Sequence, residues 1–285
     1  MKTFLLPESA LLHNARATFY PQPDGSLRLV RVQVFSTPKF REDPDGWERI
    51  DDGDDTDAPD VPDVGEAVEE HAPATGGTAG TLQAARRARR RAFDLIQCNH
   101  DLDSFATFTY APDAVGDKSD YSECYPRLKN WLSNGVQRRG LKYICVPELT
   151  KAGDVHFHAI ANSAALNLEK ARNPKNGRLI KHHGDQVYNV TDWRAGFSTA
   201  QLIRQRGDDA DPRDAVAKYI SKYMTKNLGA KIGGRHILVG GDLVRPVYAY
   251  GDGVEQFASA SDLASWGKWE TELPNGARYW EYAAR

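Results

Sequence analysis

Val146-Pro147-Glu148-Leu149-Thr150-Lys151-Ala152-Gly153-Asp154-Val155-His156-Phe157-His158-Ala159-Ile160 reads as two β-strands, Leu141 to Leu149 and Val155 to Ala161, around a tight bend. The bend residues Lys151-Ala152-Gly153 suit a three-residue hairpin loop with glycine in the left-handed position. With that loop Thr150 faces Asp154, and Glu148 faces His156. A two-residue loop would set Glu148 opposite Phe157, on the other face of the sheet. Residues i and i+2 of a strand share a face, so His156 and His158 stand side by side with the Glu148 carboxylate. Two imidazoles and one carboxylate make a metal site with open positions for substrate oxygens, as a Lewis-acid centre needs. The same donors also describe a non-haem iron oxygenase, and the ligands alone do not separate the two readings.

Outward from this hairpin the pattern is α+β. Phe105 to Tyr110 is a strand by its β-branched and aromatic content. Asp120 to Arg139 is a helix with Leu128, Trp131, Leu132 and Val136 on one face and Gly140 as its stop. Trp193 to Ile203 reads as a further strand, and Pro212 to Asn227 as a helix opened by Asp211. The order strand, helix, strand, strand, strand, helix predicts a central antiparallel sheet of about five strands with helices packed on one face. Residues 162 to 192, rich in Asn, Lys and Gly, read as a surface insertion.

The second helix carries the distinguishing chemistry. Tyr219 and Tyr223 are four residues apart in Ala217-Lys218-Tyr219-Ile220-Ser221-Lys222-Tyr223-Met224-Thr225-Lys226, hence neighbours on one helical face. A tyrosine hydroxyl can attack a phosphodiester and conserve the bond energy as a phosphotyrosine, which permits later rejoining. Its ordinary pKa near 10 calls for a nearby cation or base, and Lys222 lies between the two tyrosines in sequence. Aromatic pairs at helical spacing are also common in cores, so the helix gains meaning only beside the His-x-His strand.

Taken in order, Phe105 to Tyr110, His156 to Ile160 and Tyr219-Ile220-Ser221-Lys222-Tyr223 resemble the three motifs of the HUH endonuclease superfamily. More narrowly, they are similar to the rolling-circle replication initiators of small phages and plasmids, of filamentous-phage and microvirus type. The resemblance covers residues 102 to 228. It implies a central antiparallel sheet related to RNA-recognition and ferredoxin-like folds. It implies Mg²⁺ or Mn²⁺ on His156 and His158 with Glu148 as third ligand, Tyr219 and Tyr223 as nucleophiles, and Lys222 supporting the phosphate or metal. The implied activity is site-specific nicking and rejoining of single-stranded DNA through a 5′-phosphotyrosine. The partners would be single-stranded or supercoiled origin DNA in the cytoplasm of a bacterial cell. No Gly-x-x-x-x-Gly-Lys-Ser/Thr motif occurs, so strand separation is expected to fall to a host helicase or to supercoiling. A conjugative relaxase or single-strand transposase shares the chemistry, although relaxases usually carry a third histidine in the metal motif. A DNA-binding module with structural histidines and tyrosines is the alternative from another class.

Charge fits a polyanionic partner. The chain of 285 residues has a net charge of −2, but residues 42–80 hold fourteen acidic side chains against Arg49 alone. That segment therefore carries −13 and leaves +11 for the remainder, enough to attract DNA through counterion release. Poor in large apolar residues, it is expected to be a disordered linker. Directly after it Arg86, Arg87, Arg89, Arg90 and Arg91 crowd one short helical stretch between Leu82 and Phe93. The expected organisation is an N-terminal β-hairpin segment at 1–41 packed on the main domain, the acidic linker at 42–80, the nicking domain at 81–232 and a C-terminal extension at 233–285. Three cysteines without Cys-x-x-Cys spacing predict neither a disulfide framework nor a cysteine zinc site. No apolar run approaches the ~18 residues of a membrane span, and Met1 to Leu12 is too short and interrupted for a signal peptide.

Overall fold

The computed structural model describes residues 12–36, 40–43, 46–49, 79–203, 237–272 and 278–283. In chain order its elements are β1 (Leu12–His13), β2 (Ala15–Pro21), β3 (Leu27–Phe35), β4 (Phe40–Asp43), β5 (Gly46–Arg49), α1 (Ala79–Cys98), β6 (Ser104–Phe108), α2 (Tyr121–Arg139), β7 (Tyr143–Leu149), β8 (Val155–Ala161), β9 (Leu168–Lys170), β10 (Lys181–His182), β11 (Asp185–Gln186), β12 (Tyr188–Val190), β13 (Ser198–Leu202), β14 (Leu238–Gly240), β15 (Val247–Gly251), α3 (Ala260–Ser265), β16 (Gly267–Glu272) and β17 (Arg278–Ala283). Two compact units result, one of residues 67–244 and one joining 1–66 to 245–285.

The first unit is built on a seven-stranded sheet in the order β14-β7-β8-β6-β13-β12-β9, antiparallel throughout. The expected α+β class with a central antiparallel sheet holds. In detail the sheet is wider than five strands, because the segment read as a surface insertion supplies β9 and β12 to its edge. Nor do the helices share one face. Alternate residues of β7 and β8 are apolar on both sides, so each face can bury a helix. Ile144, Val146 and Ile160 meet Ala92, Leu95 and Ile96 of α1, while Cys145, Phe157 and Ala159 meet Cys124, Leu128 and Leu132 of α2. Helix α2 begins where Asp120 accepts a hydrogen bond from the Ser122 backbone N–H and ends at Gly140, left-handed at φ 66°. Phe108, Trp131 and Trp193 pack ring against ring below the sheet on the α2 side. Cys98, Cys124 and Cys145 are buried and free, and burial pushes the Cys124 thiol up to about 11.

In the other unit the two ends of the chain, read separately from sequence, share one five-stranded sheet, β15-β2-β3-β17-β16. It buries Ala17, Val32 and Val254, and a polar pair in which Gln33 Nε2 donates to Glu281 Oε2 at 3.1 Å. The first residues of the acidic segment are strand, not linker: β4 pairs with β1 and β5. Phe40 and Trp47 supply strand-favouring residue types there. Residues 50–78 and the expected helix at 212–227 lie outside the described residues. No helix among the described residues is long and apolar enough to cross a membrane.

Candidate functional site

The bend between β7 and β8 has the expected three-residue form. Thr150 N donates to Asp154 O at 2.9 Å, Gly153 N donates to Thr150 O at 3.0 Å, and Gly153 sits at φ 91°, a conformation that favours glycine. Across the strands Glu148 therefore pairs with His156 and Val146 with His158. Glu148, His156 and His158 share one face of the sheet, the face that α1 covers farther along through Ile144 and Ile160.

The closest contact is diagonal: Glu148 Oε2 lies 2.6 Å from His158 Nε2. Thr107 Oγ1 meets the other ring nitrogen, Nδ1, at 3.1 Å, and Phe105 stacks on the imidazole with centroids 5.7 Å apart. His158 is thereby held at both nitrogens and along one ring face, and only 6% of it is exposed. His156 is half-buried, and burial, with the neighbouring His158, holds its pKa below the ordinary imidazole value. Lys118 and Asp154, joined by a 2.9 Å ion pair, also act on His156, Asp154 raising its pKa and Lys118 lowering it.

Two imidazoles and a carboxylate suit a hard divalent ion. The donor atoms fit one: Nε2 of His158 and Oε2 of Glu148 already converge, and the Thr107 hydroxyl at Nδ1 is the outer contact that orients a ligating histidine. Among the described residues no three His, Cys, Asp or Glu side chains close into a metal cage; Glu148 and His158 are closed on each other by their hydrogen bond. Tyr219, Lys222 and Tyr223 lie outside the described residues, so the structure brings together three of the six residues singled out from sequence. Sequence reasoning missed Thr107, Phe105 and the Lys118–Asp154 pair. The polar alternation Thr107, Thr109 along β6 was the available signal for the first, but not for its partner strand.

Residues 103–228 match the model of the family described as Replication-associated protein ORF2 (gene 2 protein). No curated protein and no solved structure matches the chain. The matched stretch contains Glu148, His156 and His158 together with Tyr219, Lys222 and Tyr223. It supports a role for the chain in initiating replication.

Proposed function

We propose that this protein nicks and rejoins one strand of origin DNA, through a tyrosine linked transiently to the 5′ phosphate, to start rolling-circle replication. The observation that carries the reading is the placement of Glu148 beside His156 and His158 on one sheet face, inside the stretch matched by the replication-associated family. Mg²⁺ or Mn²⁺ held by Glu148, His156 and His158 would supply Lewis-acid stabilisation of charge on the scissile phosphate. The Tyr219 or Tyr223 hydroxyl attacks phosphorus, an oxygen–phosphorus bond to the tyrosine forms, and the 3′ oxygen departs as a hydroxyl after taking up a proton. Reversal by a 3′ hydroxyl restores the phosphodiester and frees the tyrosine. Lys222 lowers the cost of the phenolate and steadies the phosphate. The basic remainder of the chain attracts the strand.

The test is incubation of the protein with Mn²⁺ and single-stranded fragments of its own replicon. A denaturant-resistant protein–DNA adduct is expected, and it should vanish in His156→Ala and His158→Ala. Tight DNA binding without any adduct would reduce the protein to a binding module.

A further inference from the structure

Beyond the residues that would do chemistry, we infer that Phe197 is a stacking platform for a base of the single strand held at this site; the inference rests on the DNA reading above. Phe197 is 75% exposed, more than any other large apolar side chain among the described residues. Its position follows from register. Phe108 pairs with both Phe157 and Ser198, so one residue farther Thr109 stands between His156 and Phe197. The next row runs His158, Thr107, Thr199. Phe197 thus lies on the face of the two histidines, two strands from His156, about 10 Å away at ordinary strand spacing.

The floor between them is low and polar. Thr107 and Thr109 are half-buried and Thr199 is exposed, leaving a strip open to a strand and lined by hydroxyls. One row on, Gln201 Nε2 lies 3.3 Å from His182 Nδ1, and exposed Arg194 precedes Phe197 by three residues. The backbone under the ring is clamped. Thr109 donates to Phe197 O through its N–H at 2.9 Å and through its hydroxyl at 3.0 Å, and Ala111 N donates to Ala195 O at 3.0 Å. At Gly196 a Cβ would come 2.2 Å from Thr109 O. A rigid, exposed aromatic ring in line with a phosphate-binding centre suits an unpaired base, whose π-face every sequence offers. A duplex, its bases already stacked, gains nothing from it.

The experiment measures binding of labelled oligothymidine and of a labelled duplex by full-length wild type, Phe197→Ala, Phe197→Leu and Phe197→Trp. Phe197→Ala and Phe197→Leu should raise Kd for oligothymidine about tenfold, with duplex affinity and the salt slope unchanged. Phe197→Trp should keep wild-type affinity, and its indole fluorescence should be quenched by the oligonucleotide. Wild-type affinity in Phe197→Ala, or full rescue by Phe197→Leu, overturns the proposal. So does a large fall in melting temperature in Phe197→Ala, which would make Phe197 a packing residue of this chain. A Phe197 effect without any covalent adduct would sink the nicking reading and leave the platform standing. An adduct with no Phe197 effect would do the reverse, and no single-strand binding by wild type would remove both.

Discussion

The Glu148 carboxylate meets the Nε2 of His158 at 2.6 Å, although its cross-strand partner is His156. One acidic group therefore serves two imidazoles, one directly across and one diagonal to it. Glu148→Gln keeps the shape and removes the charge. It should weaken Mn²⁺ binding at least tenfold while shifting thermal stability little. Calorimetric titration with Mn²⁺ measures this, and unchanged affinity would remove Glu148 from the site.

Thr107 offers a subtler probe, because it touches His158 from the side away from Glu148. Thr107→Val replaces the hydroxyl with a methyl of similar size and frees Nδ1. Losing such an orienting contact typically costs 10- to 100-fold in metal affinity or activity, and the same range is expected here. Thr107→Ser should recover most of it. Equal loss in Thr107→Ser would point to packing of the strand rather than to the hydroxyl.

Proton uptake at His156 has a defined sign. Its folded pKa is held below the ordinary 6.5 by burial and by His158. As pH falls through that ordinary value the unfolded chain takes up the proton first. The stability linked to neutral His156 is therefore present above about pH 6.5 and lost below it. An NMR titration of the metal-free protein should place the His156 midpoint below that of a histidine in a short peptide. A midpoint at or above the peptide value would contradict the burial described.

Gly196 is the fixed point of the β13 approach. Its Cβ position meets Thr109 O at 2.2 Å and Ala111 N at 2.5 Å, both backbone, so the strands must part to admit a methyl. Gly196→Ala should cost about 1–3 kcal/mol, the usual range for overpacking. Denaturant unfolding would show it, and a loss below a few tenths of that range would mean the strands separate freely.

Tyr219 and Tyr223 call for hydroxyl deletion rather than geometry. If both attack DNA, Tyr219→Phe and Tyr223→Phe each still form adduct and the double variant forms none. If one alone attacks, its single change abolishes the adduct. Adduct mapped by peptide mass to another residue in the double variant would overturn the tyrosine chemistry.

Local features were legible in the sequence. The β7–β8 register followed from Gly153 and the three-residue bend, because turn chemistry fixes pairing between neighbouring strands. Helix α2 followed from its apolar face, its Asp120 cap and Gly140. Pairings between distant segments were not legible. Nothing in β6 announces that Thr107 will stand opposite His158, fifty-one residues on. Strands β9 and β12 are three residues each, too short for alternation to emerge from a polar stretch. The sheet shared by β2, β3, β15 and β17 joins segments more than two hundred residues apart.

The alternation along β8 has a consequence for how this protein can change over time. Val155, Phe157, Ala159 and Ala161 point into the α2 core, whereas His156 and His158 point to the opposite face. A saturation scan of this strand should read as a parity code. Odd positions would lose soluble protein when substituted, while 156 and 158 would keep abundance and lose nicking. Descendants of such a gene could shed or retune the activity at the even positions without first having to survive a folding defect.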